Sequence, residues 1–97
     1  MAVVLIHDTP GLTKETYEQI VQKLTGGKSR MESVSDWPVE GLLSHAAGDY
    51  GNGFRVVDVW ESEEALNAFG EKLGPILEEV GVEGEPEVYP AHAFVAR

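Results

Sequence analysis

Residues 41–61 read Gly-Leu-Leu-Ser-His-Ala-Ala-Gly-Asp-Tyr-Gly-Asn-Gly-Phe-Arg-Val-Val-Asp-Val-Trp-Glu. Two strand-forming runs, 41–48 and 54–61, flank a turn built on Tyr50-Gly51-Asn52-Gly53, and glycine with asparagine between such runs is the strongest short-range hairpin signal. With a two- or four-residue loop, His45 falls opposite Asp58 or Trp60. Leu43, His45, Ala47, Val56, Asp58 and Trp60 then share one face; a three-residue loop breaks that grouping.

Working outward, residues 2–8 (Ala-Val-Val-Leu-Ile-His-Asp) are apolar on both alternation sets, which predicts a strand covered on two faces. Thr9-Pro10-Gly11 ends it. Thr13 is placed to cap a helix in which Tyr17, Ile20, Val21 and Leu24 recur at helical spacing, and Gly26-Gly27 stops that helix. Residues 28–38 have no clear periodicity and predict a long polar loop with Met31, Val34 and Trp37 set into it, Met31 and Trp37 reading as its anchors. Beyond the hairpin, Ser62 is a good N-cap, with Glu63 and Glu64 in the favourable first turn and Ala65, Leu66, Phe69 and Leu73 as the apolar stripe. Gly74-Pro75 predicts an interruption, after which Pro75 opens a further turn or two carrying Ile76, Leu77 and Val80 to a stop at Gly81. Residues 83–87 read as an acidic linker and 88–95 as a fourth strand, weakened at Pro90 in the manner of an edge or bulge.

The order strand, helix, strand, strand, helix, strand predicts one α+β domain over residues 1–97. It is the ferredoxin-like βαββαβ arrangement, a four-stranded antiparallel sheet with both helices on one face. Strand one and the hairpin are apolar on the other face as well. An uncovered face of this kind is an unusually large exposed patch, and a second copy of the chain is its simplest lid, so a homodimer is expected.

At 97 residues the chain should bury roughly 60–70% of its unfolded surface, enough for a core without staples. It has no cysteine, hence no disulfide framework and no thiolate metal site. Seventeen acidic against seven basic side chains give a net charge of −10, which repels phosphate backbones and argues against a nucleic-acid partner; solubility is the plainer reading of that charge. No apolar run reaches membrane-spanning length and no lipidation signal is present, so membrane attachment is not expected. The start Met-Ala-Val-Val-Leu-Ile lacks the basic flank and cleavage site of a secretory signal, and a cytoplasmic location is expected.

Val59-Trp60-Glu61-Ser62-Glu63-Glu64-Ala65-Leu66-Asn67-Ala68-Phe69 resembles the strand-to-helix junction of the dimeric α/β-barrel superfamily, in particular the antibiotic-biosynthesis monooxygenase-like proteins. The element order resembles that superfamily over nearly the whole chain. The resemblance implies a dimer whose sheets build a barrel. It also implies one of several activities: cofactor-independent oxygenation of aromatic polyketides, heme degradation, cyclisation, isomerisation, or none known. Fold alone does not choose among these. Trp60 is similar in position to the tryptophan that shapes the cavity in the monooxygenase and heme-degrading groups. The chain departs from the heme-degrading pattern, with His7-Asp8 where an asparagine ends strand one and no histidine on helix two.

The candidate site follows from the hairpin. A carboxylate beside an imidazole fixes its tautomer and raises its basicity, as a general base acting on a phenol or on carbon next to a carbonyl requires. His45 is therefore the expected base and Asp58 the group that orients it, although a buried histidine bonded to an aspartate is often only a satisfied core pair. Trp60 is expected to stack on the substrate, and the small run Ala46-Ala47-Gly48 leaves room nearby. His7 and His92 lie on neighbouring strands, with Tyr89 near the end of strand one; they line either the same cavity or the opposite face. Three histidines without a close-spaced ligand motif do not make a metal site, and no metal or cofactor is expected.

Lys28 and Arg30 either meet an anionic ligand or are simply solvated, and Arg55, facing away from Asp58, either bridges subunits or pairs with a carboxylate. The glycine-rich stretch 48–53 joins two strands and reads as a turn, not a phosphate cradle. These features predict an enzyme resembling cofactor-independent monooxygenases, cyclases or isomerases, acting on an apolar, aromatic or enolisable compound. The alternative is a non-catalytic ligand-binding or structural homodimer.

Overall fold

The computed structural model describes residues 1–82 and 84–96. Strand β1 (Val3–Pro10) is followed by helix α1 (Lys14–Thr25), strands β2 (Leu42–Asp49) and β3 (Gly53–Trp60), helix α2 (Glu63–Val80) and strand β4 (Glu87–Pro90). The sheet order is β2-β3-β1-β4 with every neighbouring pair antiparallel, which is the expected ferredoxin-like topology.

Register sorts the residues between two faces. Val3, Leu5, His7 and Thr9 stand opposite Trp60, Asp58, Val56 and Phe54, and across the hairpin His45 stands opposite Asp58 and Ala47 opposite Val56. This is the face the helices cover. Its core joins Ile20, Val21 and Leu24 of α1 and Leu66 and Phe69 of α2 to Val3, Leu42 and Trp60 of the sheet. The outward face carries Val4, Ile6, Val57, Val59 and Tyr89, with Asp8 directly opposite Arg55. There the Arg55 guanidinium donates to both Asp8 carboxylate oxygens, at 2.6 and 2.9 Å, so within the chain Arg55 takes a carboxylate partner.

Both helices start where expected. The Thr13 hydroxyl accepts from Thr16 N–H and the Ser62 hydroxyl from Ala65 N–H, satisfying groups that a helix start leaves unpaired. The expected interruption at Gly74-Pro75 is absent, because α2 runs unbroken through Pro75. Proline normally drives the preceding residue out of the helical region by crowding its Cβ, and Gly74 has none. The carbonyl of Glu71 that loses its donor lies on an exposed residue, where water can serve it.

Three further expectations are corrected. Register shifts between Leu42 and Ser44, a bulge that turns Leu42 into the core and leaves Leu43 39% exposed, so Leu42 and not Leu43 shares the His45 face. Strand β4 ends at Pro90, which has no N–H to continue the ladder, and His92 therefore lies beyond it. The loop 28–38 contains a 3-10 turn, Val34–Asp36, closed by a capping box in which Ser33 and Asp36 each accept from the other's end of the turn. Of the 83–87 linker, residue 83 lies outside the described residues. No helix among the described residues is long and apolar enough to cross a membrane.

Candidate active site

The sheet and the two helices do not close completely on each other. Between them is a cavity of about 380 Å³ lined by β1, β3, both helices, Trp37 and His45, toward the lower end of the roughly 300–1,000 Å³ usual for small-molecule sites. Aliphatic and aromatic side chains make up most of its wall, and no lysine or arginine is among its described lining residues. The described lining thus offers no fixed positive charge to offset the desolvation of an anion.

Three polar groups of the wall are bonded to one another. His45 Nδ1 lies 2.6 Å from Asp58 Oδ1, the two side chains only 9% and 4% exposed. On the other side of the ring, His45 Nε2 lies 2.7 Å from the Tyr17 hydroxyl. When Asp58 is ionised, and so only accepts, and the ring is neutral, Nδ1 carries the proton and donates, and Nε2 accepts from Tyr17 O–H. Tyr17, His45 and Asp58 thus form one directed chain of hydrogen bonds from the cavity wall to a buried carboxylate. Burial, and after it the Asp58 charge, pushes the Tyr17 phenol up to about 12, so Tyr17 is neutral at physiological pH.

Each member is placed by its element. Tyr17 sits one turn before Ile20 and Val21 on the sheet-facing stripe of α1. Its ring stacks on Phe54 at 5.3 Å and lies within 8° of parallel to the His45 imidazole. His45 and Asp58 are paired by the hairpin ladder. Trp37 covers the imidazole from the loop side, with ring centroids 5.0 Å apart, and itself stacks on Phe69. The turn that carries Trp37 is tied down by Asp36, which accepts from the N–H groups of Glu32 and Ser33 and from Lys28 Nζ at 3.0 Å. Those bonds, the one from Glu32 N–H first and the one from Lys28 next, hold the Asp36 carboxyl below its ordinary value. Lys28 is therefore committed to the loop, and Arg30 is exposed.

The residues singled out from sequence separate into three groups. His45 and Asp58 come together in the cavity wall. His7 also lines the cavity; its Nδ1 is 3.3 Å from the hydroxyl of buried Thr9, and its buried Nε2 has no partner among the described residues. Trp60, Tyr89 and His92 do not line the cavity. Trp60 is fully buried behind Phe69, 5.0 Å between centroids. Tyr89 pairs with Val4 near the start of β1, on the outward face and 45% exposed, and His92 is exposed. Sequence placed Tyr17 in the apolar stripe of α1 and Trp37 as a loop anchor, and neither in the site. The available signal was a polar-tipped aromatic in an otherwise aliphatic helix stripe, and a tryptophan in a polar loop. No cluster of three or more potential metal ligands occurs among the described residues.

No protein-family model matches the chain, and no curated protein matches it in sequence. Among solved structures, a mutant of SnoaB, a cofactor-independent oxygenase from Streptomyces nogalater, aligns over 99% of this chain and 97% of its own, with a TM-score of 0.62 at 10% identity. A second SnoaB structure gives 0.58 over 99% and 95% at 11% identity. A conserved protein from Methanosarcina mazei Go1 gives 0.54 over 92% and 89% at 13% identity. At such identities the likeness is one of fold, and at that level the resemblance drawn from residues 59–69 holds.

Proposed function

We propose that this protein is a small-molecule enzyme of general-base type, which takes a proton from a compact, apolar, aromatic or enolisable compound held in the cavity between sheet and helices. The observation that carries this reading is the buried His45–Asp58 pair, 2.6 Å apart, set into a mostly apolar cavity wall. His45 receives the proton, and Asp58 fixes its tautomer and balances the imidazolium that forms. His7 supplies a second polar contact for the ligand, Trp60 supports the cavity from behind Phe69, and Tyr89 and His92 belong to the outer surface.

Of the possible fates of the anion, cofactor-independent oxygenation, the activity named for SnoaB, is the one put to the test, since the fold itself does not choose. In that chemistry the substrate anion is itself the electron source. Dioxygen adds to the electron-rich carbon and the peroxide loses water to leave a new carbonyl; 1-naphthol plus dioxygen would give 1,4-naphthoquinone plus water. A homodimer, closed through the outward apolar face of Val4, Ile6, Val57 and Val59, completes the proposal.

The test uses 4-nitrophenol, whose ionised form absorbs visible light, at a pH where it is neutral in bulk solution. The wild type should bind it as the phenolate, and His45→Gln should bind it neutral. Oxygen uptake with 1-naphthol then separates oxygenation from other fates of the anion. A second reading, a ligand-binding dimer without chemistry, is favoured by one fact: both imidazole nitrogens already have partners inside the protein. It predicts tight binding with no ionisation and tolerance of Asp58→Asn.

A further inference from the structure

The proposed function names His45 as the base, yet no nitrogen of His45 is free to meet a ligand. Nδ1 is taken by Asp58 and Nε2 by the Tyr17 hydroxyl. Tyr17, in contrast, lines the cavity and is only half-buried. A phenol that donates its one proton to Nε2 keeps its oxygen lone pairs for accepting. What binds beside it must therefore be a donor, and an acidic hydroxyl is one.

We propose that Tyr17 is a catalytic residue: its hydroxyl oxygen, not His45, takes the ligand's proton while passing its own proton to His45 Nε2. This rests on the general-base reading of the site. The step balances without any further reactant. The ligand O–H bond breaks as a Tyr17 O–H bond forms, the original Tyr17 O–H bond breaks as an Nε2–H bond forms, and the products are a ligand anion, a neutral tyrosine and an imidazolium paired with Asp58. The ligand–Tyr17 and Tyr17–His45 hydrogen bonds survive with their direction reversed and the Nδ1–H bond to Asp58 is unchanged, so no side chain has to move. The stacking of Tyr17 on Phe54 and its near-parallel setting against His45 hold the hydroxyl in line for this transfer. Its raised pKa fits the role, because a tyrosine that stays protonated always has a proton to hand on.

The experiment again follows bound 4-nitrophenol, with binding read separately from quenching of tryptophan emission. In Tyr17→Phe the probe should still bind, but its ionised fraction should fall at least tenfold. An ionised fraction equal to or above wild type overturns the proposal, since His45 then acts directly and Tyr17 is only its cover. A wild type that binds the probe without ionising it, or does not bind it, contradicts the general-base reading itself and this proposal with it.

Because Tyr17→Phe also leaves Nε2 without a partner, a second variant carries 3-fluorotyrosine at position 17, which keeps the hydrogen bond and changes only the acidity of the hydroxyl. Relaxation of the bound probe after a temperature jump should change in rate severalfold in that variant. An unchanged rate overturns the relay.

Discussion

His45 and Asp58 face each other directly across the β2–β3 ladder, and their side chains meet at 2.6 Å on the face that the helices cover. A hairpin thus places an imidazole and a carboxylate together through backbone register alone, and the helices then remove both from water. Asp58→Asn should keep the fold but lower proton transfer by about 10²–10⁴, the usual worth of a positioned acid–base group. Asp58→Ala also strands the His45 Nδ1–H and should cost about 1–3 kcal/mol of stability in urea unfolding. Full activity in Asp58→Asn would remove the carboxylate from the mechanism.

Tyr17 makes the alkaline limb of stability diagnostic. Its folded-state pKa, about 12, lies above the 10.0 of an exposed phenol. Between these values the unfolded chain loses its proton while the folded protein keeps it, so the folded state binds more protons and stability falls as pH rises. Below 10 the contribution is constant. Denaturation midpoints across this window should fall more steeply for wild type than for Tyr17→Phe, and an absorbance titration should find one of the three tyrosines ionising late.

Trp60 tests the boundary between core and site. It is fully buried against Phe69 and does not line the cavity, so Trp60→Ala should cost about 3–5 kcal/mol as a large core deletion does. Trp60→Phe, a smaller loss, should leave probe ionisation within a few-fold of wild type. Ionisation abolished in a folded Trp60→Phe would return Trp60 to the binding site.

The hairpin constellation was legible because register is a local property: a Gly-Asn turn fixes which residues face each other, and His45 with Asp58 follows. The failures were of three kinds. Tyr17 sits at a stripe position where any large apolar residue would satisfy the helix pattern, and its partner is 28 residues away in sequence, so periodicity alone identified a core residue. Leu43 and His92 were misplaced because a strand reading assumes unbroken alternation, which the bulge at 42–44 and the stop at Pro90 both violate. The break expected at Pro75 failed because Gly74 removes the clash that usually ends a helix there.

Gly41 links the loop to the hairpin under a tight steric limit. Its φ is +108°, and an added Cβ would lie 2.5 Å from the Cβ of Ala65 at the start of α2. Gly41→Ala should therefore destabilise by at least about 1–3 kcal/mol, the usual cost of a strained backbone position. Thermal unfolding checks this; an unchanged midpoint would mean that α2 can shift away.

The outward face gives the assembly prediction. Light scattering should find wild type as a dimer and Val57→Glu as a folded monomer, since a charge there would be buried unpaired between two sheets. A wild-type monomer at micromolar concentration would contradict the proposed dimer.

The measurement closest to the centre of the account needs no ligand: long-range ¹⁵N–¹H correlation of the His45 ring at neutral pH. Nδ1, facing Asp58, should carry the proton, and Nε2 should be bare and accept from Tyr17. A protonated Nε2 would mean that the ring has no lone pair to offer on the Tyr17 side, and the site could not work as described.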